Sequence, residues 1–326
     1  MVERAAAVAM MARMELVELD DVRTAAGVLE GVAVRTPLLA AEDGLWLKPE
    51  TLQPIGAFKL RGAYHAVARL SPEQRERGVV THSSGNHGRA LAYAARAFGI
   101  PAVIVMPSSA PAVKVAGVAA LGAEILSVPP AERESRMNAV VAERGMAPIP
   151  PFDHRDVIAG QGTIGLEVVT DLPDLATILV PVGGGGLISG IATAVKGLAP
   201  HVRVIGVEPE FAAETRESLR EGTLRAWPIE QTYRTMADGV RTMPSDLTFA
   251  HITARVDDIV TVSEEEIGAT VGRLARDSKL VVEPSGALGV AAYRYHRDEL
   301  PDGPAVAVLT GGNIDPDLLA RLITTE

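Results

Sequence analysis

Short β-branched runs alternate along the chain with Ala-rich stretches of helical length, and a Gly- or Ser-rich loop divides each run from the stretch after it. Gly78–Thr81 leads through Ser83–Gly88 into Arg89–Phe98, and Ala102–Met106 leads through Pro107–Ala112 into a helix near Ala112–Leu121. Ile178–Val182 leads through Gly183–Gly186 into Leu187–Gly197. Val202–Val207 exits into Glu208–Phe211, and Ala305–Leu309 into Thr310–Asn313. Strands that alternate with helices predict an α/β fold with mostly parallel sheets covered on both faces. In such sheets ligands bind at the carboxyl ends of the strands, where these loops sit. Three prolines in Met146–Phe152 break the pattern, and a second break falls at Ser71–Pro72. They predict a small domain, residues 72–150, inserted into a larger one made of 1–71 and 151–326.

Composition narrows the function classes. Hydrophobic residues make up 47% of the 326 positions and aromatics only 4%, so the core is expected to be aliphatic. A formal charge of −10 provides no basic field to hold a phosphate backbone, which argues against nucleic acid. With zero cysteines there is no disulfide, thiolate zinc site or cysteine nucleophile. Ala5–Ala12 is apolar but short, and Arg13 and a run of acids follow it, so it is expected to be a surface helix or frayed tail rather than a signal peptide. No stretch approaches the ~20 apolar residues that span a membrane. The expectation is a cytoplasmic protein with a small-molecule partner.

Three loops carry candidate chemistry. The segment Lys48–Ala63 reads KPETLQPIGAFKLRGA and holds two of the chain's five lysines, against many arginines. A lysine kept where arginine is the habit suggests a need for a primary amine. Phe58 beside Lys59 would suit a flat aromatic cofactor; the plain alternative is a solvated lysine opening a surface helix. In THSSGNHG, Thr81–Gly88, the residues Ser83, Ser84, Gly85, Asn86 and His87 stand at a strand-to-helix turn. There they could hold a substrate carboxylate, or Ser and Asn could serve as ordinary helix caps. His82 and His87 lack the carboxylate cluster expected of a metal pair. The glycines Gly183, Gly184, Gly185 and Gly186 in VGGGGL strip a turn of side chains so that backbone N–H groups can converge on a phosphate. The loop has neither the Walker lysine nor the GxGxxG pattern, so a single phosphate monoester is the better guest. Thr310, in TGGN, puts a hydroxyl at a strand end. An amine, a phosphate cradle and polar strand-end loops together describe a pyridoxal-phosphate (PLP) site.

From about Arg35 to Asp315 the chain resembles the serine/threonine dehydratase and serine racemase group of fold-type-II PLP enzymes. The resemblance rests on GAFKLRGA, SSGNHG, IAGQGTIGLE, PVGGGGL, ADGV and TGGN in that order. It implies a tryptophan synthase β-like fold of two domains with open twisted sheets, and a homodimer or other homo-oligomer. Lys59 looks like the Schiff-base lysine, and Phe58 like the residue packed against the cofactor ring. Gly183–Gly186 is similar to the phosphate loop. Asn86 resembles the partner of the cofactor's 3′ oxygen, and Thr310 that of its pyridine nitrogen. Ala57 departs from the family's usual serine before the Phe-Lys pair. Some members carry a Mg²⁺ or Ca²⁺ site after a VEP strand; Glu208 matches it, Ala212 could lend a carbonyl, and Glu214 replaces an aspartate. The chain ends where the catalytic fold should, so feedback control through a C-terminal regulatory domain is not expected.

The chemistry implied is loss of water and ammonia from a small β-hydroxy amino acid, giving a 2-keto acid. Lys59, freed by the substrate's amine, takes the α-proton, and the β-hydroxyl leaves. A threonine facing the ring nitrogen makes a weaker electron sink than a carboxylic acid would, which favours prompt elimination. The alternatives are an amino-acid racemase or a bifunctional racemase and dehydratase, because Ser84 matches the opposite-face serine of serine racemases, or a 3-hydroxyaspartate dehydratase. A β-replacement synthase fits less well for want of that group's lysine motif. Retention of Lys59, Asn86, the glycine loop and Thr310 argues against a non-catalytic PLP-binding relative.

Overall fold

The computed structural model describes residues 15–324 apart from 43, 84 and 111; Ala5–Ala12 lies outside the described residues. In chain order its strands are β1 (Leu39–Glu42), β2 (Leu45–Pro49), β3 (Val79–His82), β4 (Ala102–Pro107) and β5 (Glu124–Val128). They continue with β6 (Ala147–Pro148), β7 (Thr177–Pro181), β8 (Arg203–Pro209), β9 (Asp258–Val262) and β10 (Ala305–Leu309). Two sheets result, in the orders β1-β2-β10-β7-β8-β9 and β5-β4-β3-β6. Every pairing is parallel except β1 with β2, so the α/β expectation holds. All strands of the smaller sheet lie between Val79 and Pro148, while the larger draws on both flanks of the chain.

β7 and β10, central in the larger sheet, are buried along their whole length; AVAVL is wholly aliphatic, and TILVP is so after Thr177. That pattern follows from helices on both faces. Around them sit two aliphatic clusters, one centred on Leu179, Leu288 and Leu309, the other on Val180, Ile188 and Val308.

Some boundaries differ from expectation. The helix foreseen at Arg89 begins at Asn86, which brings Asn86 and His87 into its first turn. The proline-broken stretch Met146–Phe152 contains β6, which adds to the small sheet beside β3. The helix Arg155–Asp171 is the spacer of the larger unit. A methyl group at its Gly160 would lie 2.7 Å from the Gly62 Cα in the helix Lys59–Arg69. One at its Gly162 would lie 2.7 Å from the Gly190 carbonyl in the helix Gly186–Leu198. With glycine at these crossings, one spacer helix holds close the two helices whose N-termini carry Lys59 and the glycine loop.

Candidate active site

Lys59 opens the helix Lys59–Arg69, and its Nζ donates to the Pro151 carbonyl at 2.7 Å. Burial, with no opposing charge to offset it, draws the amine down to about 8. Among the described residues no ion pair involves Lys59. The Phe58 ring centroid lies 5.0 Å from Nζ. Lys59 is therefore not the solvated surface lysine of the plain alternative. Just before it, Ala57 bridges Gly311 and the Phe58 N–H donates to the Thr310 carbonyl at 3.0 Å. The amine is thus tied to the carboxyl end of β10.

The glycine loop reaches Lys59 through the residue after Pro151. A methyl group at Gly184 would come within 2.3 Å of the Phe152 ring, and one at Gly186 within 2.8 Å of its Cβ. A methyl at Gly183 would meet the Val240 Cα at 2.7 Å, and Gly185 takes φ +83°. Each of the four glycines thus has its own steric reason, which the sequence leaves open. The Thr248 hydroxyl donates to the Gly184 carbonyl at 2.8 Å and fixes the turn from outside. The loop ends on the first turn of the helix Gly186–Leu198, whose N–H groups have no intrahelical acceptor and favour an anion.

SSGNHG follows β3 and faces the same space from the smaller sheet. Ser84 lies outside the described residues. The Ser83 hydroxyl accepts from the Gly85 N–H at 3.2 Å. The Asn86 amide donates through Nδ2 to Glu283 Oε1 at 2.7 Å and accepts through Oδ1 from Asn313 Nδ2 at 2.7 Å. His87 is buried with Nε2 at 2.8 Å from the Ile149 carbonyl, which can only accept, so the proton sits on Nε2. Its Nδ1 is buried without a partner among the described residues. Burial first, and the Lys59 charge second, pull the imidazole down to about 3, so it stays neutral. Thr310 is buried at the end of β10, next to Gly311.

Glu208 and Glu214 stand apart from this space. The Glu208 carboxylate accepts from the backbone N–H of Thr215 at 3.1 Å and of Arg216 at 2.8 Å, and so caps the helix Glu214–Glu221. Burial, helped by the Glu214 charge, raises Glu208 to about 8; burial raises Glu214 as well. Ala212 is fully buried between them in sequence. Among the described residues no group of three His, Cys, Asp or Glu side chains converges as a metal cluster. Any cation here would draw on two carboxylates, with carbonyls and water completing its shell.

Sequence reasoning passed over several side chains that shape the site: Phe152, Arg89, Asn313 and Glu283. Glu283 is buried and raised to about 7, by burial first and the Asp238 charge second. Asn313 stood in the TGGN motif, so a signal existed for it; Glu283 lies 197 positions from Asn86 and had none.

The profile of the family described as "Pyridoxal-phosphate dependent enzyme" matches residues 29–311. The L-threonine ammonia-lyase of Thermotoga maritima is 43% identical over 94% of this chain and 78% of its own. The L-threo-3-hydroxyaspartate ammonia-lyase of Saccharomyces cerevisiae is 41% identical over 93% of this chain and 95% of its own. The structure of maize serine racemase superposes with a TM-score of 0.89 at 36% identity, covering 94% of this chain and 97% of that one. Among the described residues no helix is long and apolar enough to cross a membrane.

Proposed function

Since the chain belongs to the family of pyridoxal-phosphate-dependent enzymes, we propose that it eliminates water and ammonia from a small β-hydroxy amino acid, releasing a 2-keto acid. The observation that carries this reading is the half-buried Lys59, whose amine is lowered to about 8 by desolvation and donates to the Pro151 carbonyl beside the glycine loop. The residues fit the cofactor: an amine without a counter-acid, a side-chain-free turn at a helix N-terminus and a hydroxyl at the end of β10. When bound, the cofactor supplies an electron sink for the charge left on the substrate's α-carbon. Lys59 holds it and then takes the α-proton, which needs the neutral amine that burial favours. Phe58 packs against the ring, Gly183–Gly186 receive the phosphate, Asn86 and Thr310 meet the ring's polar atoms, and Ser83–His87 hold the substrate carboxylate. Residues 72–150, which carry the smaller sheet, close over the substrate; the Lys114–Asp238 ion pair at 3.1 Å joins the two units. Protection of this segment from protease by substrate would check the closure. Glu208, Ala212 and Glu214 hold a Mg²⁺ or Ca²⁺ ion, a reading supported by two buried carboxylates that burial raises, Glu208 further by the Glu214 charge. The resemblance extends the proposal to a cytoplasmic homodimer or other homo-oligomer, which sedimentation and fractionation would check.

The deciding experiment is keto-acid and ammonia release across serine, threonine and 3-hydroxyaspartate, with chiral analysis of residual substrate. Release from none of them sinks the reading. Likeness to a serine racemase favours a second reading, in which Ser84 exchanges a proton on the face opposite Lys59. Ser84→Ala should then abolish racemisation and turnover of D-substrate while sparing much of the L-elimination. An equal fall in both activities would make Ser84 a carboxylate-binding or capping residue instead.

A further inference from the structure

A one-way chain of side-chain hydrogen bonds runs beside the site. Arg89 NH1 donates to Asn313 Oδ1 at 3.0 Å, Asn313 Nδ2 donates to Asn86 Oδ1 at 2.7 Å, and Asn86 Nδ2 donates to Glu283 Oε1 at 2.7 Å. The second Asn313 Nδ2 hydrogen goes to the Ile55 carbonyl at 3.0 Å. An amide side chain can turn over and exchange its donor and acceptor ends with almost no change of shape. The direction of such a chain must therefore be set by groups that cannot turn.

Two such groups meet Asn313. A guanidinium can only donate and a carbonyl can only accept. Arg89 accordingly takes Oδ1, and Ile55 takes one hydrogen of Nδ2. Asn313 then has only a donor left for Asn86, which must answer with Oδ1 and turn its own Nδ2 toward Glu283. Backbone geometry protects the arrangement. Gly56 has φ +74°, and a methyl group there would lie 2.8 Å from Asn313 Oδ1. The Asn86 amide itself lies against Gly311, where a methyl group would come within 3.0 Å of Nδ2. Gly311 bridges Ala57, two residues before Lys59.

We propose that Arg89 and Asn313 are positioning residues that lock the Asn86 amide, so that its second Nδ2 hydrogen faces the oxygen substituent of the cofactor ring. The inference rests on the pyridoxal-phosphate reading above. A donor facing that oxygen favours its ionised form, whereas a turned amide would set a lone pair against it. The protonation equilibrium of the bound chromophore therefore reports the orientation without reference to turnover.

The test compares wild type with Arg89→Met, Arg89→Lys and Asn313→Asp. Each is read by the visible spectrum across pH, by pyridoxal-phosphate titration into the apoprotein, and by a melting curve. Asn313→Asp keeps the shape and the Arg89 contact but offers Asn86 only an acceptor, so the Asn86 amide either turns, with Glu283 protonated to donate to it, or loses its bond to residue 313. Arg89→Met and Asn313→Asp should shift the pH titration of the visible band and raise the cofactor Kd about tenfold, the size of one lost hydrogen bond. Arg89→Lys, again a cation that can only donate, should return both toward wild type. If Arg89→Met fails to fold, Asn313→Asp decides alone. Wild-type spectra and Kd in the folded variants would overturn the inference, as would an Arg89→Lys protein no better than Arg89→Met. Wild type that develops no visible band with pyridoxal phosphate would instead overturn the cofactor reading and this inference with it.

Discussion

Lys59 shows how far one residue's chemistry can be read before its surroundings are known. Its scarcity among arginines and its place in GAFKLRGA pointed to an amine; its burial makes that amine usable. Between pH about 8 and 10.5 the folded chain binds fewer protons at Lys59 than the unfolded chain, so cofactor-free protein gains stability as pH rises through that window. Below it, the cost of burying the charged form is paid in full. Lys59→Met removes the charge at similar volume and should stabilise the apoprotein at pH 7 by about 1–3 kcal/mol. The gain should fade by pH 10.5, and denaturant titrations at several pH values would measure it. A gain independent of pH would mean that packing, not the buried charge, is responsible. In the loaded enzyme, borohydride should fix the cofactor on Lys59 and on no other lysine.

The helix Lys59–Arg69 owes its position to a second residue two places along. Arg61 is 1% exposed and meets Glu50 through Nε and NH2, both at 2.8 Å, and Glu167 through NH1 at 2.6 Å. Lys48, fully buried, donates to Glu167 at 2.5 Å and to the Thr36 carbonyl at 2.6 Å. Burial opposes the Glu50 charge, yet Arg61 and Lys48 hold its carboxyl below the usual range. Two cations and two acids thus join β2, the Lys59 helix and the spacer helix. Arg61→Met leaves Glu50 without its guanidinium and should cost about 3–5 kcal/mol in denaturant unfolding. A loss under about 1 kcal/mol would mean that the network relaxes and that glycine contacts alone hold the helix. The Glu167 arm of this network was not legible beforehand, because Glu167 lies 106 positions from Arg61 and nothing in either motif names the other.

At the scale of the whole molecule, a cation at Glu208 and Glu214 would act through linkage. An ion that binds only the folded chain stabilises it by about 2.7 kcal/mol at a hundredfold excess over Kd. Added Mg²⁺ or Ca²⁺ should raise the Tm, chelator should lower it, and Glu208→Gln should abolish the response. A Tm that Glu208→Gln lowers equally with and without cation would leave Glu208 as the cap of the helix Glu214–Glu221 alone.

The sequence by itself determined what depends on residue type and local spacing. β-Branched runs ahead of helical stretches set parallel strands, and the Gly- and Ser-rich loops mark their carboxyl ends, so Lys59, the glycine loop, SSGNHG and Thr310 could be named together. Period and composition act over a few residues, which is why these features are visible in one dimension. Tertiary structure decided what depends on approach between distant segments. It placed Phe152 against the glycines, Pro151 on the Lys59 amine and Glu283 on Asn86. Each of those contacts is a distance of a few ångströms between elements whose meeting is fixed by packing the aliphatic core, and no local pattern encodes it.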